Sequence, residues 1–254
     1  MRGNGLERLK RLSGAIFDLD GTLLDTMTQW NALGLEYLRS RGVEAGPELT
    51  ERLSTMSLRQ SAEFFRSEYG LKIELADIVE TMKSRLIRLY NEEAALKPGA
   101  RESLRLLRER GVRTAIATAT SAELATAGLR RNDALDFFGA LFSCKDPGIR
   151  VGKAESAKVY DVAREFLGTP LDETIVVEDA LHAVETAKRA GYFVVAIYDP
   201  TENRRKETIR QIADVYCDDY FAFADWLRET SPGTDADERR RSSPGGPDAE
   251  SKRA

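Results

Sequence analysis

Apolar and polar residues along the chain fall into two alternating patterns, short buried runs and stretches of helical period. The run Ala15, Ile16, Phe17 is short and apolar, and it stops abruptly at Asp18. Further short runs at Arg113 to Ala117, Ala140 to Cys144, Thr174 to Val177 and Phe193 to Ile197 read as strands, with Val215 to Cys217 as a weak sixth. Between them lie helical patterns such as Ala100 to Arg110, which places Leu104 and Leu107 inward and has Gly111 as its stop. Strand and helix alternation of this kind predicts an α/β fold: a Rossmann-like, mostly parallel sheet with helices on both faces.

One long interruption breaks the alternation. After Asp25 the spacing turns helical, with Trp30, Leu33 and Tyr37 at i, i+3, i+7, and Ile78, Met82, Leu86 and Leu89 repeat it. Gly42, Gly46, Pro47 and Gly70 punctuate the stretch, and Lys97, Pro98 and Gly99 lead out of it into the next helix. The predicted organisation is a core domain over 1–25 and 97–230, an all-helical cap domain over 26–96, and a tail over 231–254. The tail has no Val, Ile, Leu, Phe, Tyr or Trp, so it is expected to be disordered.

Composition narrows the chemistry. The 254 residues can bury a sizeable core, and a formal charge of -4 with interspersed signs gives no electrostatic footprint for nucleic acid. The sequence contains no apolar stretch near the length of a membrane span and no secretory-type leader at its start, so a cytoplasmic protein is expected. Cys144 and Cys217 are isolated and read as buried thiols; His182, the single histidine, reads as a surface group. Catalysis then falls to carboxylates, hydroxyls and lysines.

Such residues collect where strands end. Asp18 and Asp20 follow the first strand and are followed in turn by Gly21 and Thr22. Thr118, Ala119 and Thr120 follow the second, Glu178 and Asp179 follow the TIVV strand, and Lys153 lies in the loop after the third. In open parallel sheets these ends share one edge, where ligands bind. Taken singly, each has a plainer reading as a helix cap, a dipole partner or solvated surface.

In order and spacing the four sites resemble the motifs of the haloacid dehalogenase superfamily, mostly phosphatases and phosphomutases, and the resemblance runs from about Ser13 to Trp226. Asp18, Asp20, Gly21 and Thr22 match the first motif, Thr118 the second, Lys153 the third, and Glu178 with Asp179 the fourth. The phrase EDALHAVETAKRAG is similar to the family's EDSxxGIxAAxxAG, with Ala183 in place of glycine. The third motif is the loosest: GKAESAKVY lacks the usual prolines and carries one extra residue between Lys153 and Tyr160, so Lys158 and Lys145 are alternatives to Lys153.

The resemblance implies a Mg²⁺-dependent phosphatase acting on a small phosphorylated metabolite through an aspartyl-phosphate. Asp18 is then the nucleophile and Asp20 the general acid and base. Asp18, the backbone carbonyl of Asp20, Glu178 and Asp179 would hold the metal, and Thr118, Ala119, Lys153, Gly21 and Thr22 would surround the phosphate. Asp20 argues against dehalogenase and phosphonate-cleaving members, which lack an aspartate there, and the missing membrane span argues against the transporting ATPases. The main alternative is a β-phosphoglucomutase-like sugar-phosphate mutase, whose histidine, arginine and lysine align with Trp30, Leu58 and Ser121 here. A non-catalytic regulatory protein on the same fold would be expected to lack the nucleophile, and a receiver domain would carry its phosphoacceptor later in the chain. Candidate cap residues toward the leaving group are Trp30, Met56, Arg59 and Tyr90, and a monomer or weak homodimer is expected.

Overall fold

Six short strands assemble into one sheet in the order β3-β2-β1-β4-β5-β6, every neighbouring pair parallel. They are β1 Gly14–Phe17, β2 Arg113–Thr118, β3 Ala140–Ser143, β4 Thr174–Glu178, β5 Phe193–Ile197 and β6 Val215–Cys217. A computed structural model provides these coordinates and describes residues 11–53 and 56–230; the first ten residues and the tail over 231–254 lie outside the described residues. The strand positions match the apolar runs, with one end of four of them moved by one residue. Thr118 and Glu178 belong to their strands because they pair with Ser143 and Ala196.

Period-two alternation explains why the sheet is covered on both sides. Ala15, Phe17, Ile116, Val177 and Val195 face one buried cluster, while Ile16, Ala115, Ala117, Val176 and Val194 face another. Phe17 meets Phe138 and Phe223 edge to face, with ring centroids 6.0 and 6.4 Å away. Both faces being apolar, the strands read as continuous hydrophobic runs.

The order places a topological switch between β1 and β4, since the chain leaves β1 toward β2 and β3 and later returns to pair β4 on the other side. Crevices at such points are where open α/β sheets bind ligands. Both strands end here, in register, with Phe17 opposite Val177.

Between β1 and β2 the chain inserts four helices: α1 Met27–Ser40, α2 Glu48–Leu53, α3 Leu58–Tyr69 and α4 Leu75–Arg88. Leu33, Tyr37, Ile78, Met82, Leu86 and Leu89 are all buried, as their spacing predicts. The periodicity did not single out α2 and α3. The latter is defined at its start by a capping box of Ser57 with Gln60 and at its end by left-handed Gly70. After α4 the backbone widens into a π-helical turn, Leu89–Glu93, closed by Ala94 N–H donating to the Leu89 carbonyl at 2.8 Å.

Two connecting segments, paired as a short antiparallel ribbon, join this insert to the sheet. Leu24 bridges Leu96, Asp25 N–H donates to Ala95 O at 2.9 Å, and Lys97 N–H to Leu23 O at 2.8 Å. Lys97 also forms an ion pair with buried Asp199 at 2.9 Å, which fixes the ribbon to the end of β5. The ribbon starts four residues after Asp20, so the insert stands beside the strand ends.

The remaining helices flank the sheet: α5 Ala100–Glu109, α6 Ala122–Arg131, α7 Lys158–Leu167, α8 Leu181–Arg189, α9 Lys206–Ile212 and α10 Tyr220–Glu229. Helix α10 supplies Phe223, which is fully buried against Phe17, Tyr220 and Trp226. Phe223→Ala is expected to lower unfolding free energy by about 3–5 kcal/mol. A lower urea midpoint at unchanged slope is the measurement that checks this.

Candidate active site

Asp18 directly follows β1, and its N–H donates to the Val177 carbonyl at 2.9 Å, so the parallel ladder continues past the last strand residue. That bond brings Asp18 beside Glu178, the last residue of β4, and Asp179 follows. All three carboxylates are buried, and their oxygens lie within 4.8 Å of one another. The group offers hard oxygen donors and an excess of negative charge, a set that fits a divalent cation such as Mg²⁺.

Lys153 is the cation among them. Its Nζ donates to Asp18 Oδ1 and, at 2.7 Å, to Glu178 Oε1, with only 5 % of the residue exposed. Burial works against its charge, but the facing carboxylates of Asp18 and Glu178 more than offset this and hold the ammonium above the ordinary lysine range. Glu178 is also raised, pushed up to about 7 by burial and by Asp18 despite its bond from Lys153. Tyr160, buried on α7, donates a second hydrogen bond to Glu178 Oε1 at 2.6 Å. Lys158 begins the same helix and is exposed, and Lys145 is exposed after β3. Of the three lysines considered for the third motif, Lys153 is the one bonded to Asp18.

Asp179 is held from the opposite side. Thr22 Oγ1 donates to Asp179 Oδ1 at 2.6 Å, and burial together with Asp18 and Glu178 raises the carboxyl well above its usual range. The Thr22 hydroxyl is therefore directed at a candidate metal ligand. Gly21 occupies left-handed backbone, φ +85°, and a Cβ there would stand 2.4 Å from Asp179 Oδ2. Its lack of a side chain makes room for that carboxylate.

Asp20 has separate surroundings. Oδ1 accepts from Thr26 Oγ1 at 2.7 Å and from the Tyr90 hydroxyl, while Oδ2 accepts from Thr120 Oγ1 at 2.7 Å. Tyr90 belongs to the π-helical turn of the insert, and its oxygen accepts the Trp30 indole N–H at 2.8 Å. Burial, and then the charge of Asp18, raise the Asp20 carboxyl above the usual carboxylate range. Thr118 Oγ1 accepts the Thr120 N–H at 3.0 Å, which leaves its own proton to donate elsewhere; Ala119 between them is exposed.

A family model of haloacid dehalogenase-like hydrolases matches residues 12–191 of this chain. The chain belongs to that family. Among curated relatives, the phosphorylated carbohydrates phosphatase of Thermotoga maritima is 26% identical over 180 residues, spanning 71% of this chain and 82% of the relative. Hexitol phosphatase B of Escherichia coli is 27% identical over 194 residues, spanning 75% and 86%. Among solved structures, CbbY from Rhodobacter sphaeroides in complex with phosphate shares the fold with TM-score 0.67, covering 82% of this chain and 95% of that one at 24% identity.

Within this dehalogenase-like hydrolase, Asp20 and Glu178 have four hydrogen-bond partners that the sequence did not pair with them. Thr26 and Thr120 bond Asp20, Tyr160 bonds Glu178, and Tyr90 reaches in from the insert. Thr120 lay in view as a strand-end hydroxyl, Tyr90 as a candidate cap residue and Tyr160 as the tyrosine of the third motif; Thr26 had no signal beyond proximity to a motif. Of the other cap candidates, Arg59 is exposed and pairs with Glu63 at 3.1 Å, and Met56 is half-buried. Both cysteines are buried and free, and His182 is exposed on the first turn of α8.

Thr22→Val keeps the shape of this buried side chain and removes the hydroxyl that orients Asp179. Outer-shell changes of this type weaken metal affinity by about 10–100-fold. Isothermal titration with Mg²⁺ is expected to show a loss of this size, with the far-ultraviolet circular dichroism unchanged.

Proposed function

We propose that this protein releases inorganic phosphate from a small phosphorylated sugar or polyol, through an aspartyl-phosphate on Asp18. That it is a phosphoric monoester hydrolase rests on the family match and on relatives named as phosphatases. The observation that carries the mechanism is the contrast between two carboxylates two residues apart. Asp18 faces Lys153 and the acidic cluster, whereas Asp20 faces hydroxyls of the core and the insert.

In this reading Asp18 attacks phosphorus in line, and the ester P–O bond breaks with its electron pair left on the alkoxide oxygen. Asp20 gives that oxygen a proton, which its raised carboxyl is suited to carry. Water then attacks the phosphoryl group, returns a proton to Asp20, and frees the Asp18 carboxylate. Lys153 offers fixed positive charge to the phosphoryl oxygens, and Thr118 a hydroxyl whose free proton can reach one of them.

Mg²⁺, held by Asp18, Glu178 and Asp179 with the Asp20 carbonyl, would supply charge compensation for an anionic substrate entering an acidic pocket. The segment 26–96 acts as a cap that reads the leaving group and excludes water. A mutase is less well supported, since the position of its histidine is held by Trp30, whose indole nitrogen donates to Tyr90.

A panel of sugar and polyol phosphates, assayed for free phosphate with Mg²⁺ present, tests the reading. Turnover is expected for at least one member, and Asp18→Asn is expected to bring it to background. Asp20→Asn is expected to lower turnover by about 10²–10⁴-fold. Isomerisation of glucose 1-phosphate dependent on a bisphosphate primer, without phosphate release, would overturn it in favour of the mutase.

A further inference from the structure

We infer that Tyr90 is a positioning residue for Asp20, and that its hydroxyl, oriented by Trp30, commits Asp20 Oδ2 to be the oxygen that exchanges a proton with the leaving group. The inference rests on the acid–base role given to Asp20 above. A carboxylate oxygen has two lone pairs in its plane. On Oδ1 two donors, Thr26 and Tyr90, occupy both; on Oδ2 Thr120 occupies one. The remaining in-plane lone pair is on Oδ2.

The polarity of this network is fixed from its outer end. An indole nitrogen can donate and cannot accept, so the Trp30 N–H must point at the Tyr90 oxygen, 2.8 Å away. Tyr90 then has one proton to place, and its near acceptor is Asp20 Oδ1; Thr120 Oγ1, at 3.3 Å, is farther and sends its own proton to Oδ2. Each hydroxyl thus sends its proton along its shorter contact, to Asp20.

Packing holds the tyrosine ring in place. Tyr90 is fully buried, and Gly128 of α6 leaves the space it fills: a Cβ at that glycine would come within 3.0 Å of the ring. The ring comes from the π-helical turn after α4, a type of local widening often found at functional sites. Tyr90 and Trp30 both belong to the insert, while Thr120 follows β2. General-acid geometry at Asp20 therefore depends on the insert being seated against the core.

Tyr90→Phe removes the hydroxyl and keeps the ring. Without it Oδ1 regains a free lone pair, and the transferable proton is divided between two oxygens of which one is misdirected. The loss falls on leaving groups that need protonation. Phenyl phosphate has such a leaving group and dinitrophenyl phosphate does not, and kcat/KM covers only the steps up to release of the alcohol, so the ratio of their kcat/KM values reads the acid function without the later attack of water. Tyr90→Phe is expected to lower kcat/KM on phenyl phosphate about tenfold more than on dinitrophenyl phosphate. Trp30→Phe, which frees the Tyr90 hydroxyl to rotate, is expected to shift the ratio in the same direction by a smaller factor.

Equal losses on both esters in Tyr90→Phe, or no loss on either, would overturn the positioning role. If Tyr90→Phe fails to fold, Trp30→Phe decides the question by the same ratio. Asp20→Asn in parallel separates the two levels of inference. A leaving-group-selective loss in Asp20→Asn without one in the tyrosine and tryptophan variants rejects the positioning role alone, whereas an unselective loss in Asp20→Asn rejects the acid–base assignment beneath it.

Discussion

Parallel pairing of β1 with β4 forces three carboxylates into one buried space. Because Phe17 stands opposite Val177 and the ladder runs on to the Asp18 N–H, Asp18, Glu178 and Asp179 have no freedom to separate. Buried charges of one sign are costly unless they are paired, hydrogen-bonded or bound to metal. Much of the surrounding structure answers that cost. Lys153 places its ammonium between Asp18 and Glu178, Tyr160 gives Glu178 a second donor, and Thr22 gives one to Asp179. Gly21 lets the backbone pass close to Asp179 where any side chain would collide. Such compensation puts donors and charges in place before substrate arrives, the preorganisation that the proposed phosphoryl transfer calls for.

Asp20 escapes the same crowding because the chain turns away after β1. Its three partners come from the connection into the insert, from the end of β2 and from the insert itself. Two carboxylates two residues apart thereby acquire different environments, one ionic and one hydroxyl-lined, and divergent environments are what let neighbouring acids take opposite roles. The ribbon formed by Leu24 and Leu96, with the Lys97–Asp199 ion pair behind it, sets where the insert stands relative to this carboxylate.

The sheet was legible in the sequence because each strand is a short apolar run closed by polar residues, and burial on both faces leaves that signal unbroken. Asp18, Asp20, Lys153, Glu178 and Asp179 were legible as strand-end or loop residues, since parallel topology gathers such ends on one edge. Helices α2 and α3 were not, as α2 has six residues and buries only Leu49, and α3 buries a single large apolar side chain, Phe65, beside Ser61 and Ala62, which leaves no apolar repeat to read. The partners of Asp20 were hidden for a different reason. Tyr90 lies 70 residues from Asp20 and Thr120 lies 100, and no local spacing encodes which hydroxyl will meet which carboxylate. The third motif stands between these cases: its altered spacing left Lys145, Lys153 and Lys158 open, and burial of Lys153 against Asp18 is a property of the folded loop.

Residue 30 shows how one side chain in the insert constrains chemistry on the sheet. An imidazole can donate or accept at either nitrogen, so a histidine at this position would leave the direction of the adjoining hydrogen bond to its protonation state. Indole has no such choice. With Trp30 unable to accept, the Tyr90 proton turns to its nearer acceptor, and Asp20 Oδ1 then has two donors, Tyr90 and Thr26. On the proposed mechanism the insert contributes through the direction of a hydrogen-bond chain, while contacts to the phosphoryl group fall to the core. A phosphate ester presents the same phosphoryl group whatever its alcohol, so with Asp20 as the proposed acid, selectivity among esters arises on the leaving-group side of the site, the side on which Trp30 and Tyr90 stand.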